Sequence, residues 1–189
     1  MALDSVAAAP LTYPDDSETA RKIRKADDLL GTVEQGGLFA VLVVMVLVGG
    51  INVLLEKLVH TKIWFAEDVV SAGTFWMATF GAAFATQQQR HLAMDLVSRQ
   101  FSPRGRLILA AVLEVVTIAV AILMVKYGLR LVDVSQAVTG RHLISLPTIV
   151  SGLAAASALI AVHATLHLFL HIDYIARGKL PPERMRSAH

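Results

Sequence analysis

The 189-residue chain contains no cysteine, and that single absence removes several chemistries together. Without thiols there is no disulfide framework, no thiolate zinc site, no iron–sulfur cluster and no cysteine nucleophile. Charge is also scarce: Asp, Glu, Lys and Arg make up 17% of the residues, and they cluster in blocks between long uncharged runs. A soluble helix keeps one face in water and spreads charge along its length. Here whole helices lack it. The net charge of +2 is too small to indicate nucleic-acid binding, and the basic residues flank apolar runs instead of forming a patch with aromatics. A serine elbow, a phosphate-cradling glycine loop and a carboxylate pair at catalytic spacing are all missing from the sequence, so no enzymatic activity is expected.

What is abundant is hydrophobic sequence, 55% of the chain. A spanning helix needs about 20 mostly apolar residues to cross roughly 30 Å of hydrocarbon at 1.5 Å per residue. Gln35 to Leu55 and Val69 to Gln89 contain no charged residue, Leu107 to Val125 contains only Glu114, and Leu143 to Ile172 contains no Asp, Glu, Lys or Arg. Pro147 is compatible with the first turn of the last of these, where no backbone donor is needed. The runs are too long for the alternating strands of a barrel. The fold class is therefore an all-α integral membrane protein with four transmembrane helices, at about 35–55, 69–89, 107–125 and 147–172. They form a membrane domain over 35–172, between a tail at 1–34 and a basic tail at 173–189.

Short interfacial helices are expected as well. Ile23, Ala26, Leu30 and Val33 share a helical stripe after a Ser17 N-cap, with Arg21, Lys22, Arg24 and Lys25 largely elsewhere, which suits a helix lying on an anionic membrane surface. Ala93, Val97 and Phe101 recur at i, i+4 and i+8 ahead of Pro103. Beyond the third span, Lys126, Arg130 and Asp133 form a polar stripe that lets the helix run on toward Gly140. The N-terminal segment, the second loop and the C-terminal tail carry twelve Lys and Arg, whereas the first and third loops carry five (Lys57, Lys62, Lys126, Arg130 and Arg141). By the positive-inside rule both termini are cytoplasmic.

Glu114 is the one acidic or basic residue in a core span, and burying a carboxylate in lipid is costly enough that it must be paired, neutral or protein-facing. By helical rise it lies about 10 Å from one membrane edge, with His163 and His167 at about 13 and 8 Å from that edge. A contact between Glu114 and His163 or His167 is therefore open. A polar clasp between helices is favoured over a proton or cation relay, because a relay needs several acidic residues in series and the spans contain one. His163, His167 and His171 also share a face at i, i+4 and i+8, which supports an alternative reading as a membrane-anchored haem or redox subunit. Haem held between helices needs opposing histidines, and His91 is the sole candidate on another helix. No cofactor or metal is expected. Small residues fall on stripes at Gly73, Met77, Gly81 and Ala85 and at Gly152, Ala155, Ala156 and Ala158, fit either for internal packing or for docking onto another membrane protein.

The stretch from Trp64 to Asp95 carries a resemblance. Glu67 and Asp68 precede the second span, Phe75 and Trp76 lie within it, Phe80-Gly81-Ala82 follows, and Arg90, His91 and Asp95 close it. This order resembles the small permease subunit of tripartite ATP-independent periplasmic (TRAP) transporters, and the four-span layout is similar over nearly the whole chain. Gln87 to Gln89 depart from the glycine-containing basic turn of that pattern. The resemblance implies a helper in the bacterial inner membrane. Its partners would be a large permease that carries an organic acid with sodium and a periplasmic binding protein that delivers the solute.

Trp64, Glu67, Asp68, Trp76, Gly81, Arg90, His91, Asp95, Glu114, His163 and His167 are accordingly read as structural or partner-interface residues. Reporter fusions test the layout. Alkaline phosphatase fused after His189 is expected to be inactive and fusions near Thr61 or Thr139 active; the reverse pattern would overturn it.

Overall fold

The computed structural model describes residues 16–87, 103–137 and 143–179. Among them are four helices: α1 (Glu18–Val59), α2 (Ala66–Gln87), α3 (Pro103–Ser135) and α4 (Leu146–Ala176). All four are long and apolar enough to cross a membrane. The helical segment expected at 93–101 lies outside the described residues.

α1 differs from the expectation in an instructive way. The basic segment and the first span form one unbroken helix of 42 residues, about 63 Å long at 1.5 Å per residue, so no separate surface helix is present at its start. Nothing in the sequence interrupts it, because Gly36 and Gly37 cost helix propensity without forcing a bend. Ser17 caps its start by accepting from the Ala20 N–H at 3.0 Å. At the other end His60 turns into the left-handed region at φ 52°, and its N–H bonds to the Leu55 carbonyl. The Asn52 side chain then accepts from the Ile63 N–H at 2.8 Å, closing the turn toward α2.

The buried face of α1 is also not the apolar stripe read from the sequence. Val33 is 67% exposed and Ala26 is exposed, while Ala20, Asp27, Gly31 and Glu34 are buried. α3 extends past its apolar core to Ser135, as its polar stripe allowed. Pro147 sits in the first turn of α4.

α4 is the hub. It packs most extensively against α3, then against α2, and makes a narrower contact with α1, whose main neighbour is α2. Gly128 of α3 lies so close to α4 that a Cβ there would stand 3.1 Å from the Ala154 backbone, and Gly152 of α4 receives the Trp76 ring of α2. Small residues permit close helix approach where lipid removes any hydrophobic drive between helices. Trp76 adds a polar pin, its indole N–H donating to the Ile149 carbonyl at 3.0 Å. Near the same end of the bundle Asp68 accepts from the Leu143 N–H at 2.7 Å, fixing the start of α2 to the approach to α4. Gly73 abuts Met45 of α1. Of the two small-residue stripes, Gly73, Gly152 and Ala156 are thus spent on internal packing, whereas Ala155 and Ala158 are exposed.

Filling the Gly152 notch should loosen α2 from α4. In Gly152→Val the new side chain meets the indole, and overpacking of this kind costs about 1–3 kcal/mol. The measurement is thermal unfolding in detergent, with a lowered midpoint expected for Gly152→Val and little change for Gly81→Ala, since nothing lies within 4 Å of a Cβ at Gly81.

Candidate functional site

The polar centre of the protein is assembled from three helices. On α1, Asp27 and Glu34 are seven residues apart and so project from one face, with Gly31 between them. Gly31 leaves room for the Gln87 side chain at the end of α2; a Cβ there would lie 2.7 Å from the Gln87 Cδ. On α4, His163 and His167 are one turn apart, and Ala164 beside them is fully buried. α3 contributes Glu114. Ala20 on α1 and Ala164 on α4, both fully buried, leave these two backbones room to approach so that short polar side chains can meet.

His163 is the pivot. Its Nδ1 lies 2.6 Å from Asp27 Oδ1 and its Nε2 lies 3.0 Å from Glu34 Oε1, with the imidazole fully buried. An ionised carboxylate only accepts hydrogen bonds, so facing two of them requires both ring nitrogens to donate, which is the imidazolium form. His167 donates from Nε2 to the second oxygen of Asp27 at 3.2 Å, and its Nδ1 lies 3.6 Å from Glu114 Oε1, beyond hydrogen-bond length. Asp27 therefore bridges the two imidazoles. The Oε2 atoms of Glu34 and Glu114 are buried without a hydrogen-bond partner, as is His167 Nδ1.

A second polar layer lies beyond it, where α1 starts. Asp16, buried, pairs with Arg24 at 2.8 Å and accepts from the Tyr174 hydroxyl. Arg24 also donates to the Tyr174 oxygen at 3.3 Å. Ser17 donates to Asp173 at 3.1 Å, and Asp173 is paired with Arg177, whose guanidinium also lies 5.1 Å from the Tyr174 ring centre. α1 is thus fastened to α4 at two successive levels.

From Leu146 to His163 and His167 the α4 axis advances about 26 and 32 Å. The five-residue cluster hence lies about one hydrocarbon thickness from the end of the bundle marked by Asp68 and Leu143. Ionic groups are tolerated there at far less cost than at a bilayer centre.

The structure brings Glu114 to His167, one of the two contacts left open by the sequence. It overturns the premise that the polar interior holds a single acid: among the described residues Asp27 and Glu34 join Glu114. Both were missed because they precede the charge-free run that begins at Gln35. The detectable signal was the spacing Ala20, Asp27, Gly31, Glu34, which puts small and acidic residues on one helical face opposite paired histidines.

The remaining residues lie apart from the cluster. Trp64 is 63% exposed and meets Phe65 edge-on at 5.5 Å; Glu67 is exposed, Asp68 and Trp76 are engaged as described, and Gly81 has open space beside it. Arg90, His91 and Asp95 lie outside the described residues. The haem alternative meets an obstacle at His163, whose two nitrogens are both taken by carboxylates.

Four apolar helices of spanning length, with their polar groups turned inward to join helix to helix, define a multi-pass membrane component without a catalytic constellation among the described residues. Residues 45–173, more than half of the chain, match the family described as tripartite ATP-independent periplasmic transporters, DctQ component, and the chain belongs to that family. It is the small permease component of a TRAP transporter, a transporter family and not an enzyme family. A comparison with curated proteins gives no match. The matched region includes Glu114, His163 and His167, and starts after Asp27 and Glu34.

Removing one partner from a buried ionic cluster leaves the others uncompensated, at a cost of about 3–5 kcal/mol, whereas replacing both partners with apolar groups is far milder. Asp27→Leu is expected to lower the thermal midpoint markedly, and Asp27→Leu with His163→Leu to recover part of the loss. Equal destabilisation by the single and double variants would show that Asp27 does not hold His163.

Proposed function

We propose that this protein is the helper subunit of a secondary-active uptake system in the bacterial inner membrane. It docks to a large permease that carries an organic acid with sodium, and a periplasmic binding protein supplies the solute. Membership of the DctQ family is the observation that carries this reading. The disposition of polar groups supports it: Asp27, Glu34, His163 and His167 are engaged with one another across helices, and Glu114 is turned toward His167. The outer flanks of α1 and α3 are broadly apolar, with Phe39, Val46, Leu54, Ile108, Val120 and Ile122 all more than half exposed. Such flanks suit contact with lipid and with another membrane protein alike.

In this reading both termini are cytoplasmic, so Asp68 and Leu143 mark the periplasmic end and the carboxylate–histidine cluster lies toward the cytoplasm. Glu67 and Asp68 then act at the outer end of the second span and Arg90, His91 and Asp95 at the inner end, about 33 Å away at 1.5 Å per residue, too far apart to share one solute. They serve as anchors. Acidic residues in the first turn of α2 are favoured there by about 0.3–1 kcal/mol.

Reconstitution tests the helper role. Liposomes containing this chain alone should show no sodium-driven accumulation of organic acid, and uptake should appear when the large permease and the binding protein are added. Accumulation by the chain alone would overturn the proposal, as would full uptake by the permease and binding protein without it.

A further inference from the structure

The basic start of α1 is only partly spent on the joints between helices. Arg24 is engaged by Asp16 and Tyr174, whereas Arg21 and Lys25 are exposed. At 3.6 residues per turn, Arg21, Lys25, Thr32, Gly36 and Phe39 fall within about 60° of the helix circumference. One stripe of α1 therefore passes from cationic through polar to apolar. Two acids share it: Glu18, which is paired with Lys22 at 3.0 Å, and Asp28, which is exposed. α2 packs alongside and has no charged residue between Val69 and Gln87, and the connection that follows carries Arg90 and Arg99 against Asp95.

The apolar end of the stripe opens into a groove of about 600 Å³ between α1 and α2, with Gln35, Gly36, Phe39 and Leu42 on one wall and Met77 and Phe84 on the other. That volume lies in the range of sites that hold small ligands. Gly36 keeps it open, since a Cβ there would meet nothing within 4 Å.

We propose that this groove binds one anionic glycerophospholipid, its acyl chain lying against Gly36, Phe39, Met77 and Phe84 and its phosphate facing Lys25 and Arg21. The depths agree with that placement. From Gln35 to Val59 α1 advances about 36 Å, a little more than the hydrocarbon thickness, so Gln35 stands near one edge and Phe39 and Leu42 about 6 and 10 Å inside it. The headgroup layer adds roughly 5–7 Å outside that edge, which sets the phosphate between Thr32 and Lys25. Lys25 covers the remaining distance with its flexible four-carbon stem, and Arg21, about 6 Å further out, acts on the phosphate through space. At the level between, the Thr32 hydroxyl is spent on the Asp28 carbonyl at 2.8 Å, and the exposed Gln35 amide is the donor suited to a glycerol ester. A partner helix would use only the apolar part of the stripe, whereas an anionic lipid uses all three levels in order. The site rests on the membrane helices of this chain and is independent of the transporter reading.

Native mass spectrometry of the full chain in detergent, titrated with phosphatidylglycerol or with phosphatidylcholine of the same chains, counts the lipid retained. The native chain is expected to hold one phosphatidylglycerol at several-fold lower concentration than phosphatidylcholine. Gly36→Leu improves helix propensity and clashes with nothing, yet it fills the groove and should weaken phosphatidylglycerol retention several-fold. Gly37→Leu, off the lining and equally free of clashes, should retain lipid as the native chain does. Arg21→Gln with Lys25→Gln should bring phosphatidylglycerol down to the level of phosphatidylcholine and leave the latter unchanged. Equal retention of the two lipids by the native chain overturns the proposal, as does undiminished phosphatidylglycerol in Gly36→Leu or an equal loss in Gly37→Leu. A dimer of the native chain that Gly36→Leu alone dissociates gives the groove to a second copy and overturns it as well.

Discussion

The hydrogen bonds from His163 to Asp27 and Glu34 hold α1 against α4, the helix on which α2 and α3 also pack. The layer of Asp16, Ser17 and Arg24 against Asp173 and Tyr174 is the other fastening of α1 to the hub. The apolar window of α1 is not buried within the protein, and its contact with α4 is narrow compared with those of α2 and α3. In lipid, burying leucine and valine between helices gains almost nothing over leaving them in the acyl chains. The ionic joint supplies what the apolar surface cannot. The apolar length of α1 is held by α2 instead, with Met45 against Gly73 and Asn52 closing the turn between them.

The two ends of the bundle solve the joining problem with different chemistry. Near Asp68 the contacts are small: a glycine under an indole, an N–H to a carbonyl, and a carboxylate to a backbone N–H. Such contacts tolerate no change of volume but carry little net charge, which suits a segment crossing hydrocarbon. The end near Ser17 uses two stacked ionic layers, with Asp16, Arg24 and Tyr174 in one and the carboxylate–histidine cluster in the other. Ion pairs break even only where desolvation is incomplete or every partner is satisfied. Their position about one hydrocarbon thickness from the Asp68 end is where that condition is easiest to meet.

The four spans were legible because length and freedom from charge are properties of the sequence alone. The contact of Glu114 with the α4 histidines was half legible, since equal depth on antiparallel helices follows from helical rise. Asp27 and Glu34 were not, and the reason is physical. Apolar periodicity identifies a buried face only where water is the alternative. Next to lipid the rule inverts, and the residues that must be enclosed are the polar ones. On α1, Val33 and Leu29 are each 67% exposed while Asp27 and Glu34 are buried. The stripe of Ile23, Ala26, Leu30 and Val33 was read as a surface-seeking face because the basic residues lay elsewhere, yet the face that mattered was the acidic one. The second loop, with Arg90, His91 and Asp95, offers no such test, as it lies outside the described residues.

The same inversion explains why a search of single spans finds so little chemistry here. Each helix taken alone carries at most a pair of titratable groups facing the cluster: two acids on α1, one on α3, two imidazoles on α4. None is enough to make a site, and each is readily dismissed as a charge near a membrane edge or a polar tip. Superposition of the three at one level changes their meaning, because groups that would separately be solvated come to share a buried volume and engage one another across helices. The satisfaction of any one is then a property of the assembly of α1, α3 and α4. A change in the tilt of α1 would therefore be felt first in the distances from Asp27 and Glu34 to the two imidazoles.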